Sequence, residues 1–345
     1  MCRNDLIEGF IEPDTGDIDS VFSDNSTVYT ESLRSSFLQS VRENGRGYHK
    51  YSDGQYLIPE DEQEQERLDM QHEIFLLTMN RKLYHAPISP NVQHVLDLGT
   101  GTGIWAIDFA DQHSSAHVLG IDLSPIQPSW IPPNCKFELD DYEKPWTFSQ
   151  EFDFIHARML MGSIADEKNL FKQAYDNLAP GGWIEMQDFS LPVRADDDTM
   201  KGTAFEELNI KFMEGLRMIG RDGGGPEKYK QLLTEVGFQN VVEVKYKWPQ
   251  NEWPKNKHLK TLGQWNMVNT LDGLYGFSAR LLTQVLGMTT EELEQLLEKC
   301  REDIMNPRIH AYWPIVVAYA QKPQTASDSL KQDGSVIPGS REGEN

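Results

Sequence analysis

Val95-Leu96-Asp97-Leu98-Gly99-Thr100-Gly101-Thr102-Gly103-Ile104-Trp105 sets a short apolar run ahead of three glycines at every second position, with a helix-like segment, Ile104 to Phe109, behind them. The pattern predicts a buried strand, a tight turn and a helix start. Glycine suits such a turn because the backbone there takes conformations closed to residues with a Cβ. It also lets a ligand come close to bare amides at the helix N-terminus. Asp97 stands at the carboxyl end of the strand and presents a carboxylate to the same spot. A carboxylate there would repel a pyrophosphate and favour a ligand carrying positive charge.

Two cofactors compete for this turn. Gly101-Thr102-Gly103-Ile104-Trp105-Ala106 also fits the dinucleotide pattern G-x-G-x-x-G/A, with Asp122 about 20 residues on as the ribose-binding acid. S-adenosylmethionine, with its ammonium and sulfonium, is the ligand that the charge of Asp97 favours. Here the chain resembles the class I S-adenosylmethionine-dependent methyltransferases, whose first motif is an acidic residue, any residue, then Gly-x-Gly-x-Gly. The resemblance implies that Asp97, Gly99, Gly101 and Gly103 hold that cofactor.

Beyond the glycine turn the chain alternates strand and helix, the pattern of an α/β sheet with ligands at the carboxyl ends of its strands. Val118 to Ile121 reads as a second strand ending in Asp122 and Leu123. Asp122 can accept from both hydroxyls of a ribose, or merely cap a turn. Cys135 to Leu139 is a third strand, followed by Asp140-Asp141-Tyr142, where the resembled family reads adenine with an acid and the next backbone amide. Asp141 with the Tyr142 amide matches best, and Asp140 is one place away. The fourth strand, Phe152 to Ala157, carries His156 and ends at Arg158, where the methionine part of the cofactor would meet the acceptor. His156 is either a proton acceptor or a core histidine. A helix from Lys168 to Leu178 then leads through Ala179-Pro180-Gly181-Gly182 into Trp183 to Met186. Leu-x-Pro-Gly-Gly before an apolar strand resembles the fifth-strand entry of the methyltransferases and is not expected of a nicotinamide dehydrogenase.

The expected fold is therefore α/β, a Rossmann-like, doubly wound seven-stranded sheet. Strands six (Val241 to Lys247) and seven (Tyr312 to Ala320) would be antiparallel, with a helical insertion at about 250–308 between them. In the insertion Thr289-x-x-Glu292 reads as a capping box, with Leu293, Leu296, Leu297, Cys300 and Ile304 on one face. Further helices are expected at Thr199 to Ile219 and Glu227 to Val236, with Arg221 to Pro226 a flexible turn between them. Residues 91–322 would form this domain. Ahead of it, residues 31–90 form a lid-like segment with a helix capped by Asp61 and carrying Leu68, His72, Phe75, Leu76, Met79 and Leu83. Residues 1–30 hold Asp5, Glu8, Glu12, Asp14, Asp17, Asp19 and Asp24 against the single base Arg3 and read as disordered, as does the polar tail 323–345.

The 345-residue chain carries a net charge of −22, which argues against direct binding to nucleic acid or to an anionic membrane surface. No apolar run is long enough to span a bilayer, and the N-terminus lacks a secretory signal, so a cytoplasmic or nuclear protein is expected. Cys2, Cys135 and Cys300 are far apart and support neither a disulfide framework nor a metal site.

A narrower resemblance covers roughly residues 28 to 322. Glu43 to His49, Arg67 to His72, the glycine motif, Phe152 to Arg158, Pro180 to Glu185, Trp253-Pro254-Lys255 and Asn306 to Pro314 look like the fungal LaeA-like methyltransferases. That resemblance implies a role in secondary metabolism or its regulation. It also implies a small-molecule or protein methyl acceptor, and for the regulatory members a velvet-type protein partner. Transfer from a sulfonium is downhill once donor and acceptor are aligned, so positioning can supply much of the catalysis. An oxygen or carbon acceptor would still want a base, for which His156, His310 and Tyr48 are the candidates. Tyr48, with Tyr51, is alternatively a lid over the cofactor or a packing residue.

Overall fold

The computed structural model describes residues 9–14, 40–43, 46–49 and 61–324. β1 (Ser40–Glu43) and β2 (Arg46–His49) pair antiparallel. α1 (Glu62–Thr78) starts at Asp61, whose side chain accepts from the Glu64 amide, as the Asp61/Glu64 spacing predicted. Beyond its last residue Asn80 (φ 53°) and Arg81 (φ 64°) turn left-handed, and the Arg81 amide returns to the Leu76 carbonyl at 2.6 Å. That closure satisfies a helix-end carbonyl and throws the chain back toward the sheet.

The sheet is built from β3 (His94–Leu98), β4 (His117–Asp122), β5 (Cys135–Leu139), β6 (Phe152–Arg158), β7 (Leu178–Phe189), β8 (Arg194–Ala195), β9 (Gln239–Pro249) and β10 (Ala311–Gln321). The seven long strands run in the order β5-β4-β3-β6-β7-β10-β9; the first five are parallel, and β10 is antiparallel to both β7 and β9. The expected α/β architecture is correct, with one addition. β8, two residues long, pairs with the start of β10, so the sheet has eight strands rather than seven.

Alternation along the strands sorts the core. Leu96, Leu98, Ile155 and Ala157 face one layer, with α3 (Glu167–Asn177) and α5 (Tyr229–Val236). Val95 and Phe154 face the other, with Trp105 and Phe109 of α2 (Ile104–Gln112). Side chains with period two on neighbouring strands make each face continuous. α4 (Ala204–Met218), α6 (Lys257–Arg280), a π-helical turn at Leu281–Val285 and α7 (Thr290–Met305) form a separate helical layer. α6 and α7 are the insertion between β9 and β10, and the Thr289/Glu292 capping box is present in both directions.

Other details differ from expectation. Residues 9–14, assigned to a disordered N-terminus, are packed. Ile11 is 6% exposed, and the backbone pairs with Trp253 and Lys255 at 2.8 and 2.9 Å. One apolar side chain and a strip of backbone bonds outweigh a local composition that reads as solvated; the rest of 1–30, and the tail from 325, lie outside the described residues. Leu178 already pairs with Phe152, so Ala179 to Gly182 is a bulge inside β7 rather than a loop before it. Instead of a flexible turn throughout 221–226, a 3-10 turn begins at Gly225. Among the described residues no helix is long and apolar enough to cross a membrane.

Candidate active site

β3 lies between β4 and β6, so successive crossovers leave it in opposite directions and open a crevice at its carboxyl end, the usual ligand position in such sheets. The glycine turn fills that place. Gly99 (φ 61°), Gly101 (φ 58°) and Gly103 (φ 80°) are all left-handed, which would cost about 1–2 kcal/mol at each position for a residue with a Cβ. A Cβ on Gly99 would stand 2.5 Å from Leu160 and 3.7 Å from the Tyr142 ring. Gly103 is the N-cap of α2 and gives it no side-chain cap, so the first amides of the helix are left to a ligand or water.

Asp97 lies under the turn rather than in the crevice. It is 3% exposed; Oδ2 accepts from Thr100 Oγ1 at 2.5 Å, and Oδ1 meets His156 Nδ1 at 2.7 Å. The expectation that Asp97 points openly at a ligand is thus corrected: its charge acts from beneath the glycines. His156 is wholly buried and stacked on Trp105, with ring centroids 3.6 Å apart and planes 4° from parallel. Burial lowers its pKa, against the pull of Asp97. A group enclosed this way has no exposed surface, the placement of a core histidine.

Asp122 ends β4 with Oδ2 accepting from the Gly101 amide (2.7 Å) and Oδ1 from the Ser124 amide (2.9 Å). Each oxygen keeps a second lone pair, so a ribose diol could still be met. Burial raises its pKa, and the backbone amides oppose that shift. Leu123 follows, half-buried. Gln127, which sequence reasoning missed, spans the same turn by donating to the Gly101 and Ser124 carbonyls at 2.7 and 2.9 Å. After β5, Asp140 is exposed and accepts from the Asp141 amide, while Asp141 accepts from the Glu143 amide and faces Lys144 at 3.5 Å. The Tyr142 ring is buried against the glycine turn.

Arg158, at the end of β6, is held by α1. Its Nη2 donates to His72 Nδ1 at 3.0 Å, its guanidinium lies 5.0 Å over the Phe75 ring, and His72 Nε2 meets Asp108 at 3.0 Å. Since His72 Nδ1 accepts, Nε2 carries the proton, and the ring is neutral; burial lowers its pKa accordingly. Burial also brings Arg158 down to about 10. α1 crosses the glycine turn as well, through Asp69, which accepts from Thr102 Oγ1 at 2.7 Å, and Leu68, 3.7 Å from where a Gly101 Cβ would be.

On the far side of α1 is a cavity of about 160 Å³ bounded by α1, α4, α6, the loop after β6 and the ends of β7, β9 and β10. Leu68 and Met159 line it beside the glycine turn. Met159 itself has φ 59°, a strained conformation for a residue with a side chain, held by a bond from its amide to the Gln187 carbonyl at 2.9 Å. No spacing in the sequence announces this cavity, because its walls come from segments as distant in the chain as Glu64 and Trp313. Of the other two proposed bases, only His310 can be placed. His310 bonds Asp197 at 2.7 Å beside Trp253 and does not line the cavity. Tyr48 belongs to β2, and its side chain lies outside the described residues. Among the described residues no group of three or more His, Cys, Asp or Glu side chains could hold a metal ion.

The residues present fit S-adenosylmethionine: a cradle that a Cβ at Gly99 would fill, uncapped amides at α2, a carboxylate at the end of β4 and a buried carboxylate beneath. A family model described as a methyltransferase domain matches residues 70–243. The methyltransferase pytC of Aspergillus terreus is 40% identical over 312 residues, covering 89% of this chain and 95% of that one. The probable methyltransferase tdiE of Emericella nidulans is 38% identical over 271 residues, covering 78% and 85%. The secondary metabolism regulator LAE1 of Cochliobolus heterostrophus is 37% identical over 294 residues, covering 82% and 94%.

Proposed function

Because the chain belongs to the S-adenosylmethionine-dependent methyltransferases, in their LaeA-like branch, we propose that it transfers a methyl group to an acceptor seated in the cavity behind α1, within fungal secondary metabolism or its regulation. The observation that carries this reading is the position of α1. One side of it meets the glycine turn through Leu68 and Asp69, and another side walls the cavity through Glu64, Arg67 and Gln71.

When bound, S-adenosylmethionine supplies a methyl group made electrophilic by its sulfonium. Gly99, Gly101 and Gly103 would admit it, Asp122 would accept from its ribose hydroxyls, and Asp140, Asp141 and the Tyr142 amide would meet its adenine. Asp97 contributes negative charge from below, and Arg158 supplies a cation at the end of β6. Leu68 and Met159 bring the acceptor to the seam between the two sites. Positioning of this kind, with water excluded, contributes several kcal/mol to such a reaction without an acid–base pair.

A second reading is favoured by the regulator among the relatives: a cofactor-binding module that acts mainly by holding a velvet-type protein partner, in cytoplasm or nucleus. Calorimetric titration with S-adenosylmethionine and S-adenosylhomocysteine, with Asp122→Ala as control, tests the first. Binding lost in the variant supports it. A folded protein that binds neither would overturn methyl transfer and cofactor binding together, leaving at most a partner-holding role that does not use the cofactor.

A further inference from the structure

The cavity has more to say about the acceptor than its size. Its walls are mostly apolar, with Met161, Phe205, Leu208, Phe212, Leu274 and Trp313 among them. At about 160 Å³ it is smaller than the roughly 300–1,000 Å³ of pockets for drug-sized ligands, so it takes a compact molecule rather than a length of peptide.

Its polar end is specific. Arg67 is paired with Glu64 through Nε (3.1 and 3.0 Å) and Nη2 (2.6 Å), and Nη1 donates to Asn269 Oδ1 at 2.8 Å. The guanidinium and carboxylate cancel, so this end carries no net charge with which to neutralise a ligand. An ionised acceptor would lose its hydration without gaining a counter-ion, a penalty of several kcal/mol.

Two amides face the same space. Asn269, 5% exposed, uses its oxygen on Arg67, which leaves its NH2 as a donor. Gln71, 4% exposed, lines the cavity, and its side chain has no hydrogen-bond partner among the described residues. Its amide atoms are not fully enclosed, so water in the cavity meets them, and a ligand oxygen placed there takes over that hydrogen bond. Gln71 is one turn along α1 from Leu68, which also lines the cavity and lies 3.7 Å from where a Gly101 Cβ would be, so this part of the cavity borders the glycine turn.

The geometry points to an uncharged, largely apolar small molecule bearing a hydrogen-bonding oxygen as the methyl acceptor, with that oxygen held by Gln71 and Asn269. This rests on the methyltransferase reading. It selects a small molecule over a protein acceptor.

Trp248 and Trp313 line the cavity and report occupancy by quenching of their fluorescence. The full chain, saturated with S-adenosylhomocysteine, is titrated with 2-naphthol and with its charged counterpart 2-naphthalenesulfonate. The expected result is saturable quenching by 2-naphthol at least tenfold tighter than by the sulfonate. Gln71→Leu and Asn269→Leu should each weaken it about fivefold, and Leu208→Trp should abolish it, all with unchanged S-adenosylhomocysteine affinity as the check on folding. Equal or tighter binding of the sulfonate, or 2-naphthol binding indifferent to all three substitutions, overturns the inference, as does absence of 2-naphthol binding to a protein that holds S-adenosylhomocysteine. Absence of S-adenosylhomocysteine binding by the folded chain overturns the proposed function as well.

Discussion

Asp97 and His156 stand opposite each other in the register of β3 and β6 and bond at 2.7 Å, on the face of the sheet that packs against Trp105. The glycine turn is therefore anchored to the neighbouring strand by a buried carboxylate, and the same carboxylate gives the crevice its negative charge. Asp97→Asn keeps the size and removes the charge. Cofactor affinity should fall about tenfold, or roughly 1.4 kcal/mol, and stability by about 1–3 kcal/mol as the buried bond weakens. Titration calorimetry and urea unfolding measure the two; an unchanged affinity would confine Asp97 to the core.

His156→Phe separates the roles further. The ring stack on Trp105 survives while the bond to Asp97 is lost, so the expected effect is on the urea midpoint. Turnover under saturating cofactor should stay within about fivefold, since His156 has no exposed surface. A larger loss of turnover with cofactor binding intact would make His156 a candidate base again.

Gly99→Ala probes the turn itself. The left-handed backbone costs about 1–2 kcal/mol, and the new methyl must displace Leu160, whose loop carries Met159 and Met161 of the cavity. Cofactor binding should weaken more than tenfold and acceptor binding should weaken with it. Gly220→Ala is the control: it is equally left-handed, with φ 73°, but has nothing within 4 Å of the added Cβ. It should cost stability alone. Parallel titrations of both variants would expose the idea as wrong if Gly99→Ala behaved like Gly220→Ala.

Two buried acids on β7 set a pH dependence. Burial pushes Glu185 and Asp188 up to about 7, although Glu185 accepts from the His85 and Ala86 amides and Asp188 from the Met161 amide and the Tyr229 hydroxyl. Between their unfolded values, near 4, and about 7 the folded chain holds more protons than the unfolded one. Their contribution to stability is therefore full at low pH and is lost as pH rises through 7. Urea midpoints between pH 5 and pH 8 should show this fall, and Asp188→Asn, which cannot ionise, should reduce it. A slope unchanged in the variant would contradict the assignment.

The parts of this molecule that could be read from its sequence are those set by short-range pattern. Short apolar runs in Val118 to Ile121 and Phe152 to Ala157 gave strands, the glycines gave the turn, and Thr289 with Glu292 gave a helix start, because each depends on neighbours within one turn or one pleat. The face of His156 was not readable, since a fully buried parallel strand is apolar on both sides and loses its alternation. The cavity was not readable for a related reason. Arg67 and Asn269, 202 residues apart, meet only because α1 packs on α6, and neither side chain stands in a motif. Residues 9–14 failed on composition: Glu12 and Asp14 look like solvated acids until Lys255 and Lys260 are placed beside them.

The Arg67–Glu64 pair offers a test of how that long-range contact is held. Both side chains are 3% exposed, and Arg67 also lies 4.8 Å over the Phe277 ring, so the guanidinium, neutralised by Glu64 within α1, ties α1 to α6 through its hydrogen bond to Asn269 and its stacking. Removing one partner of a buried pair costs about 3–5 kcal/mol, because the charge that remains has lost its counter-ion, whereas replacing both by apolar groups of similar volume is often close to neutral. Arg67→Met should therefore destabilise the protein by about 3 kcal/mol, and Glu64→Leu combined with Arg67→Met should recover much of that loss. If the pair served stability alone, the double variant would still bind the neutral probe in the cavity. If it keeps Asn269 turned so that its NH2 faces the ligand, the double variant should be stable and yet bind 2-naphthol about fivefold more weakly. The two measurements on one variant, unfolding and quenching, separate a strut from a positioning residue.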